Sequence, residues 1–198
     1  MPEPILSYRS TGDQIASMTV LYKDVYSWNT FYRLMHEWLL ENKYCGPDED
    51  FREILYDHNE RSWGSEVTMR WRLSKTDLKS FKALYRYDMD VDVHILGQKE
   101  VEVVTNGKKL KADKGEVEVV IKGYLLEDPD GKVKKHWLGQ HFSDFIFKVF
   151  LKHVRRNHEI ALYTDVQRFQ EAVKTYMKLD TYLPEKETQE FFPKRDLT

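Results

Sequence analysis

Asp88, Asp90, Asp92 and His94 are the first residues whose types and spacing could do chemistry. Alternate residues of a strand share a face about 6.5–7 Å apart, so neighbouring carboxylates could flank a hard cation, with Glu100 or Glu102 opposite. Calcium sites, however, draw ligands from a tightly curved loop with backbone carbonyls, and no such loop is encoded here. Rows of this kind more often form a solvated outer face that discourages edge aggregation. Cys45, the single cysteine, could act as a nucleophile if His36 or His58 approached it, but a lone thiol at a helix end is more often incidental. The histidines lack metal-ligand spacing: His136 and His141 are five apart, well round a helix from each other. No glycine-rich phosphate loop, serine elbow or paired-acid motif occurs. No catalytic residue, metal ligand or cofactor is therefore expected, and binding is favoured over catalysis.

Charge offers another candidate. Lys108, Lys109, Lys111 and Lys114 cluster after Asn106-Gly107. Lys132, Lys134, Lys135, Lys148, Lys152, Arg155 and Arg156 face Asp144 alone between positions 132 and 156. With Trp137, Phe147 and Phe150 interleaved, that segment could meet an anionic surface. Its bland alternative is cation enrichment towards a helix C-terminus, which the macrodipole favours.

The chain that must position these residues has 198 residues and a formal net charge of −2, so bulk charge argues against a nucleic acid partner. Its 12 Tyr, 10 Phe and 5 Trp exclude an intrinsically disordered chain. One cysteine excludes an intrachain disulfide framework. No apolar run long enough for a transmembrane helix is present, and no secretion signal is visible, so a cytoplasmic location is expected.

Residues 1–16 read as a lead-in, 17–180 as a single α+β domain and 181–198 as a mobile tail. A strand is expected over 18–26. Ser27 is a plausible N-cap for a helix over 28–44, where Phe31, Leu34, Met35, Trp38 and Leu39 share one arc. Cys45-Gly46-Pro47 should end it, and Asp48 should open a short second helix through about His58. The period then changes to two. Val67, Met69, Trp71 and Leu73 alternate with polar residues, and Phe81, Ala83, Tyr85, Tyr87, Met89, Val91, Val93 and Ile95 alternate with a mostly charged set. Turns are expected at Gly97-Gln98, at Asn106-Gly107 (the strongest hairpin signal) and at 113–115, with the last strand closing at 128–131. An antiparallel meander of four to six strands follows.

The longest helix is expected over 134–156. Leu138, Phe142, Phe145, Val149 and Val154, with their apolar neighbours, sweep roughly 240° of its wheel at ~100° per residue, against ~100° for an ordinary surface helix. Such a helix needs cover on two sides: by the sheet and by a ligand, a partner or the next helix. That next helix is expected from Thr164, as a capping residue with Gln167 three positions on, to about Leu179.

Strand, helix, short helix, meander and long apolar helix, over roughly 18–156, resemble the element order of the helix-grip fold of the START-like lipid-transfer and polyketide-cyclase superfamily. The resemblance lies in topology and in the 138–154 helix, not in a motif. It implies a curved sheet gripping the long helix, with a cavity for an apolar ligand between them. The superfamily usually has six meander strands and lacks the additional C-terminal helix; a cystatin-like wrap is the nearest rival. The fold class expected is thus an α+β antiparallel meander wrapped on a long C-terminal helix, plus an additional helix. The expected function is binding of a hydrophobic small molecule or lipid by Trp71, Tyr85, Tyr87, Phe142, Phe145 and Val149. The alternative is an interaction or assembly module that meets a protein partner through an exposed apolar or basic helix face and Phe191-Phe192.

Overall fold

The computed structural model describes residues 12–45, 51–76, 84–105, 108–129, 131 and 151–180. Five strands form one antiparallel sheet: β1 (Asp13–Tyr26), β2 (Glu53–Arg61), β3 (Gly64–Thr76), β4 (Tyr85–Thr105) and β5 (Lys108–Glu127). Helix α1 (Trp28–Glu41) follows β1, and α2 (Lys152–Asp180) closes the described chain. The sheet order is β1-β5-β4-β3-β2, so the first strand in sequence pairs with the last. The class is α+β: among the described residues, two helices cover the buried face of the sheet. β1 begins at Asp13, within the segment read as a lead-in.

Period-two alternation decides which face is buried. Val67, Met69, Trp71 and Leu73 of β3 lie directly opposite Ile95, Val93, Val91 and Met89 of β4. Val91, Val93 and Ile95 in turn face Ile121, Val119 and Val117 of β5. All of these are buried. Directly opposed residues of an antiparallel pair share one face, so these rows form a continuous hydrocarbon surface. Helix α2 lies on it with a stripe of Leu162, Val166, Phe169, Val173, Tyr176 and Met177. Glycine is required where the two meet: a Cβ on Gly123 would sit 2.8 Å from Val166 Cγ2 and 3.2 Å from Leu162 Cδ1. Helix α1 packs beside α2 through Trp38 against Phe169 (ring centroids 4.8 Å) and Phe31 against Tyr176 (5.5 Å).

The ends of α1 show how distant residues finish a local signal. Ser27 holds the N-cap position, with its carbonyl accepting from Phe31 N at 2.9 Å. Its hydroxyl pairs with Thr30 Oγ1 rather than with a helix amide, and the Trp28 N–H donates instead to Asp113 Oδ2 of β5 at 3.1 Å. At the other end, Tyr44 N donates to Leu39 O and Lys43 N to Leu40 O, with Lys43 at φ 61°. This is a Schellman closure carrying lysine where glycine is usual. The helix therefore ends at Glu41, three residues before the expected boundary.

Four expectations need correction. The short helix from Asp48 through His58 is not formed: 53–61 is strand β2, hairpinned onto β3 through Ser62-Trp63, while 46–50 lie outside the described residues. A register shift between Glu53 and Leu55 disturbs the alternation, leaving adjacent Ile54 and Leu55 half-buried and imitating a helical pattern. Gly97-Gln98 is not a turn. β4 runs on through a register irregularity there, with Gly97 at φ 66°. Nor is 113–115 a turn: β5 is continuous, and Gly115 passes close beneath the β4 backbone, where a Cβ would meet Leu96 O at 3.0 Å. Thr105 and Lys108 pair across Asn106-Gly107, so the hairpin falls where that signal placed it, although 106–107 themselves lie outside the described residues.

The last correction concerns α2. Thr164 does not begin a helix; it lies inside one, its Oγ1 bonded to Ile160 O at 2.8 Å, an i−4 bond that lets threonine sit mid-helix. The helix starts at Lys152 and continues without a break. The expected 134–156 helix falls mostly on 132–150, which lie outside the described residues, as do Phe142, Phe145, Val149 and the 181–198 segment. Of its end, Leu151 packs against the core, whereas Val154, assigned to the apolar sweep, is 37% exposed.

Candidate functional site

One end of the buried face is not hydrocarbon. Tyr85 and Tyr87 enter it at the start of β4. Lys75 stands directly opposite Tyr87 on β3, and Glu127 opposite Tyr85 on β5. Helix α2 supplies His158 and Asp165, seven residues apart, hence two turns along one face. Tyr44, just after α1, completes the group.

The contacts form a chain. Tyr87 OH and His158 Nδ1 are 2.6 Å apart, with both residues buried. Tyr85 stacks on the imidazole, centroids 4.3 Å apart and planes 27° from parallel. Asp165 Oδ2 accepts from Lys75 Nζ at 2.9 Å and from Tyr44 OH at 3.0 Å, and the Lys75 ammonium lies 5.2 Å from the Tyr44 ring centroid. At the rim, Arg155 ties the first turn of α2 to three carboxylates: Asp13 at 2.6 Å, Glu159 at 2.7 Å and Glu127 at 2.8 Å. The Glu159 hydrogen bond leads the interactions that hold this guanidinium even more firmly protonated than usual.

Burial pushes Tyr85 up to about 12, with Glu127 adding to the rise. Burial first, then Asp165, raises Tyr44 well above an ordinary phenol. At neutral pH both are therefore neutral hydroxyls, able to donate hydrogen bonds but unable to act as bases.

Of the residues expected to line a pocket, the structure brings Tyr85 and Tyr87 together here. Trp71 is elsewhere. It packs edge-on to Tyr32 (5.2 Å) and Phe51 (4.8 Å), with Nε1 donating to Glu53 Oε2 at 2.8 Å. Tyr32 OH donates to the same oxygen at 3.0 Å and is itself pushed up to about 12, by burial and then Glu53. Trp71 therefore braces α1 against β2 and β3. No sequence pattern marks Lys75, Asp165, His158 or Tyr44 as site residues. The His158–Asp165 spacing would have revealed a shared face only with α2 recognised as one helix.

The acidic row of β4 is not a solvated face. Asp88 and Asp90 are buried. Arg86 grips Asp88 with two bonds of 2.8 and 3.1 Å, Arg72 lies 3.4 Å from Asp90 and 2.7 Å from Asp92, and His94 meets Glu66 at 3.1 Å. Arginines on this face neutralise the carboxylates that looked like cation ligands. Glu100 and Glu102 pair with Lys111 and Lys109. Among the described residues no group of His, Cys, Asp or Glu is placed to hold a metal ion. Cys45 is buried, and His36 lies against Phe51 at 4.2 Å. No helix among the described residues is long and apolar enough to cross a membrane.

Compared with known proteins, the chain matches no family model and no curated protein sequence. The antiparallel sheet with its C-terminal helix is compatible with the helix-grip fold.

Proposed function

We propose that the chain binds a hydrophobic small molecule or lipid between the sheet and its C-terminal helical segment, as START-like helix-grip proteins do. The ligand's polar head would lie at Tyr87, His158 and Lys75. One observation carries the reading: phenolic and ionisable groups from β3, β4, β5, α2 and the end of α1 converge at one end of an otherwise hydrocarbon face. Buried polar groups cost free energy unless they are hydrogen-bonded, and a structural core would be as stable without them. An amphipathic ligand uses both halves of such a face.

Native mass spectrometry and calorimetric titration with a long-chain fatty acid test this. Saturable one-to-one binding is expected. Tyr87→Phe should weaken it about tenfold, the effect of one hydrogen bond of ~1.4 kcal/mol. An absence of saturable binding contradicts the proposal, and an unchanged affinity in Tyr87→Phe contradicts the placement of the head.

A further inference from the structure

A second arrangement lies twelve positions further along β4, on the order of 40 Å from Tyr87 at ~3.3 Å per residue. Here Lys23, Asp24, Trp63, Lys99, Lys114 and Glu116 line an open cleft of about 360 Å³. That is within the size range of small-molecule sites. Lys114 and Glu116 lie three positions and one position before the buried Val117, hence on the opposite side of β5, so their side of the cleft belongs to the face turned away from α1 and α2.

Its charges are set unlike those of their neighbours. Lys109, Lys111 and Lys23 each have a carboxylate within reach: Glu102 at 3.0 Å, Glu100 at 2.7 Å and Glu116 at 2.9 Å. Lys99 and Lys114 are instead directly opposite each other in the β4–β5 register, and among the described residues neither has an ion pair. Like charges facing each other across a strand pair are destabilising. Both acids that share the cleft are engaged, Glu116 by Lys23 and Asp24 Oδ1 by the Val25 N–H at 2.9 Å. Beside the two lysines stands Trp63 of the β2–β3 hairpin, 48% exposed, its ring against Gly97, where a Cβ would lie 3.8 Å away. The register irregularity between Leu96 and Lys99 creates this juxtaposition: with one extra residue in β4, Gly97 and Gln98 standing against Gly115 alone, Lys99 comes to face Lys114.

We infer that this cleft binds a small oxyanion carrying a planar ring, the chemistry of a nucleoside monophosphate. The phosphate is taken up by the facing Lys99 and Lys114, and the ring lies on Trp63. Two ammonium groups that repel each other without a ligand become joint donors to one phosphate. An exposed indole offers a stacking surface indifferent to the identity of the base.

Calorimetric titration of the full chain with adenosine monophosphate, inorganic phosphate and adenosine tests the inference. Saturable one-to-one binding of the nucleotide is expected, at least tenfold tighter than either fragment. Lys99→Gln and Lys114→Gln should each weaken it about tenfold without lowering the thermal midpoint, and Trp63→Ala should reduce nucleotide affinity to that of phosphate. The inference is overturned by any of four outcomes: no saturable nucleotide binding, phosphate or adenosine binding as tightly as the nucleotide, lysine variants with unchanged affinity, or lysine variants with a lowered midpoint, which would make the lysines structural.

Discussion

The two ends of the β4–β5 ribbon handle charge in opposite ways. At the Tyr87 end, polar groups lie buried or half-buried beside α2 and have protein partners: half-buried Lys75 and buried Tyr44 share Asp165, and Tyr87 meets His158. At the Lys99 end, exposed like charges face each other beside an exposed tryptophan. The contrast follows from solvation. Under a helix an unmatched charge costs several kcal/mol, so partners must come from the chain. On an open sheet face water screens the repulsion to a fraction of a kcal/mol, and a like-charge pair can persist until an anion joins it.

Substitutions at the two ends should therefore differ in size and in sign. The largest effect is expected for Asp165→Ala, which strands Lys75 and the Tyr44 hydroxyl. Chemical denaturation should show a loss of about 3 kcal/mol, and a loss below ~1 kcal/mol would mean that the covered end is wetter than described. Gly123→Ala pushes a methyl against Val166 and Leu162, and overpacking of that kind lowers stability by about 1–3 kcal/mol. A neutral result would show that α2 does not press on β5 there. At the open end, Lys114→Gln should raise stability by a few tenths of a kcal/mol, most visibly at low salt.

Alkali should discriminate between the ends as well. Phenols ionise near pH 10 in an unfolded chain, whereas Tyr85 is pushed up to about 12 and Tyr44 is also raised. The unfolded state then releases these protons first. Their contribution is intact below about pH 10 and is lost as pH rises towards 12. Denaturation midpoints measured across that interval should fall, and Tyr85→Phe should flatten the decline. A slope unchanged by Tyr85→Phe would place that phenol in water.

The alternating runs of β3 and β4 and the Phe31–Leu39 stripe of α1 were legible because each obeys one period and buries one face. β2 was misread because a register shift set Ile54 beside Leu55, and only its pairing with β3 reveals the strand. The length of β4 and β5 is hidden in the sequence because Gly97 and Gly115 resemble turn residues. They serve a bulge and a close backbone approach instead. α2 was divided at Thr164 because a threonine followed by glutamine resembles a capping box; an i−4 hydroxyl bond is invisible in sequence. Within the candidate site, Tyr85 and Tyr87 were visible as inward-facing aromatics. Lys75 and Asp165 were not, because 90 residues separate them and only the folded sheet brings them together.

The proposal that the polar end of the gripped face receives a ligand's head is tested most directly at His158. Following its imidazole resonances during a fatty acid titration by NMR should show a saturable shift, whose midpoint moves to about tenfold higher ligand concentration in Tyr87→Phe. Resonances that stay fixed while the fatty acid binds elsewhere, or no binding at all, would contradict it.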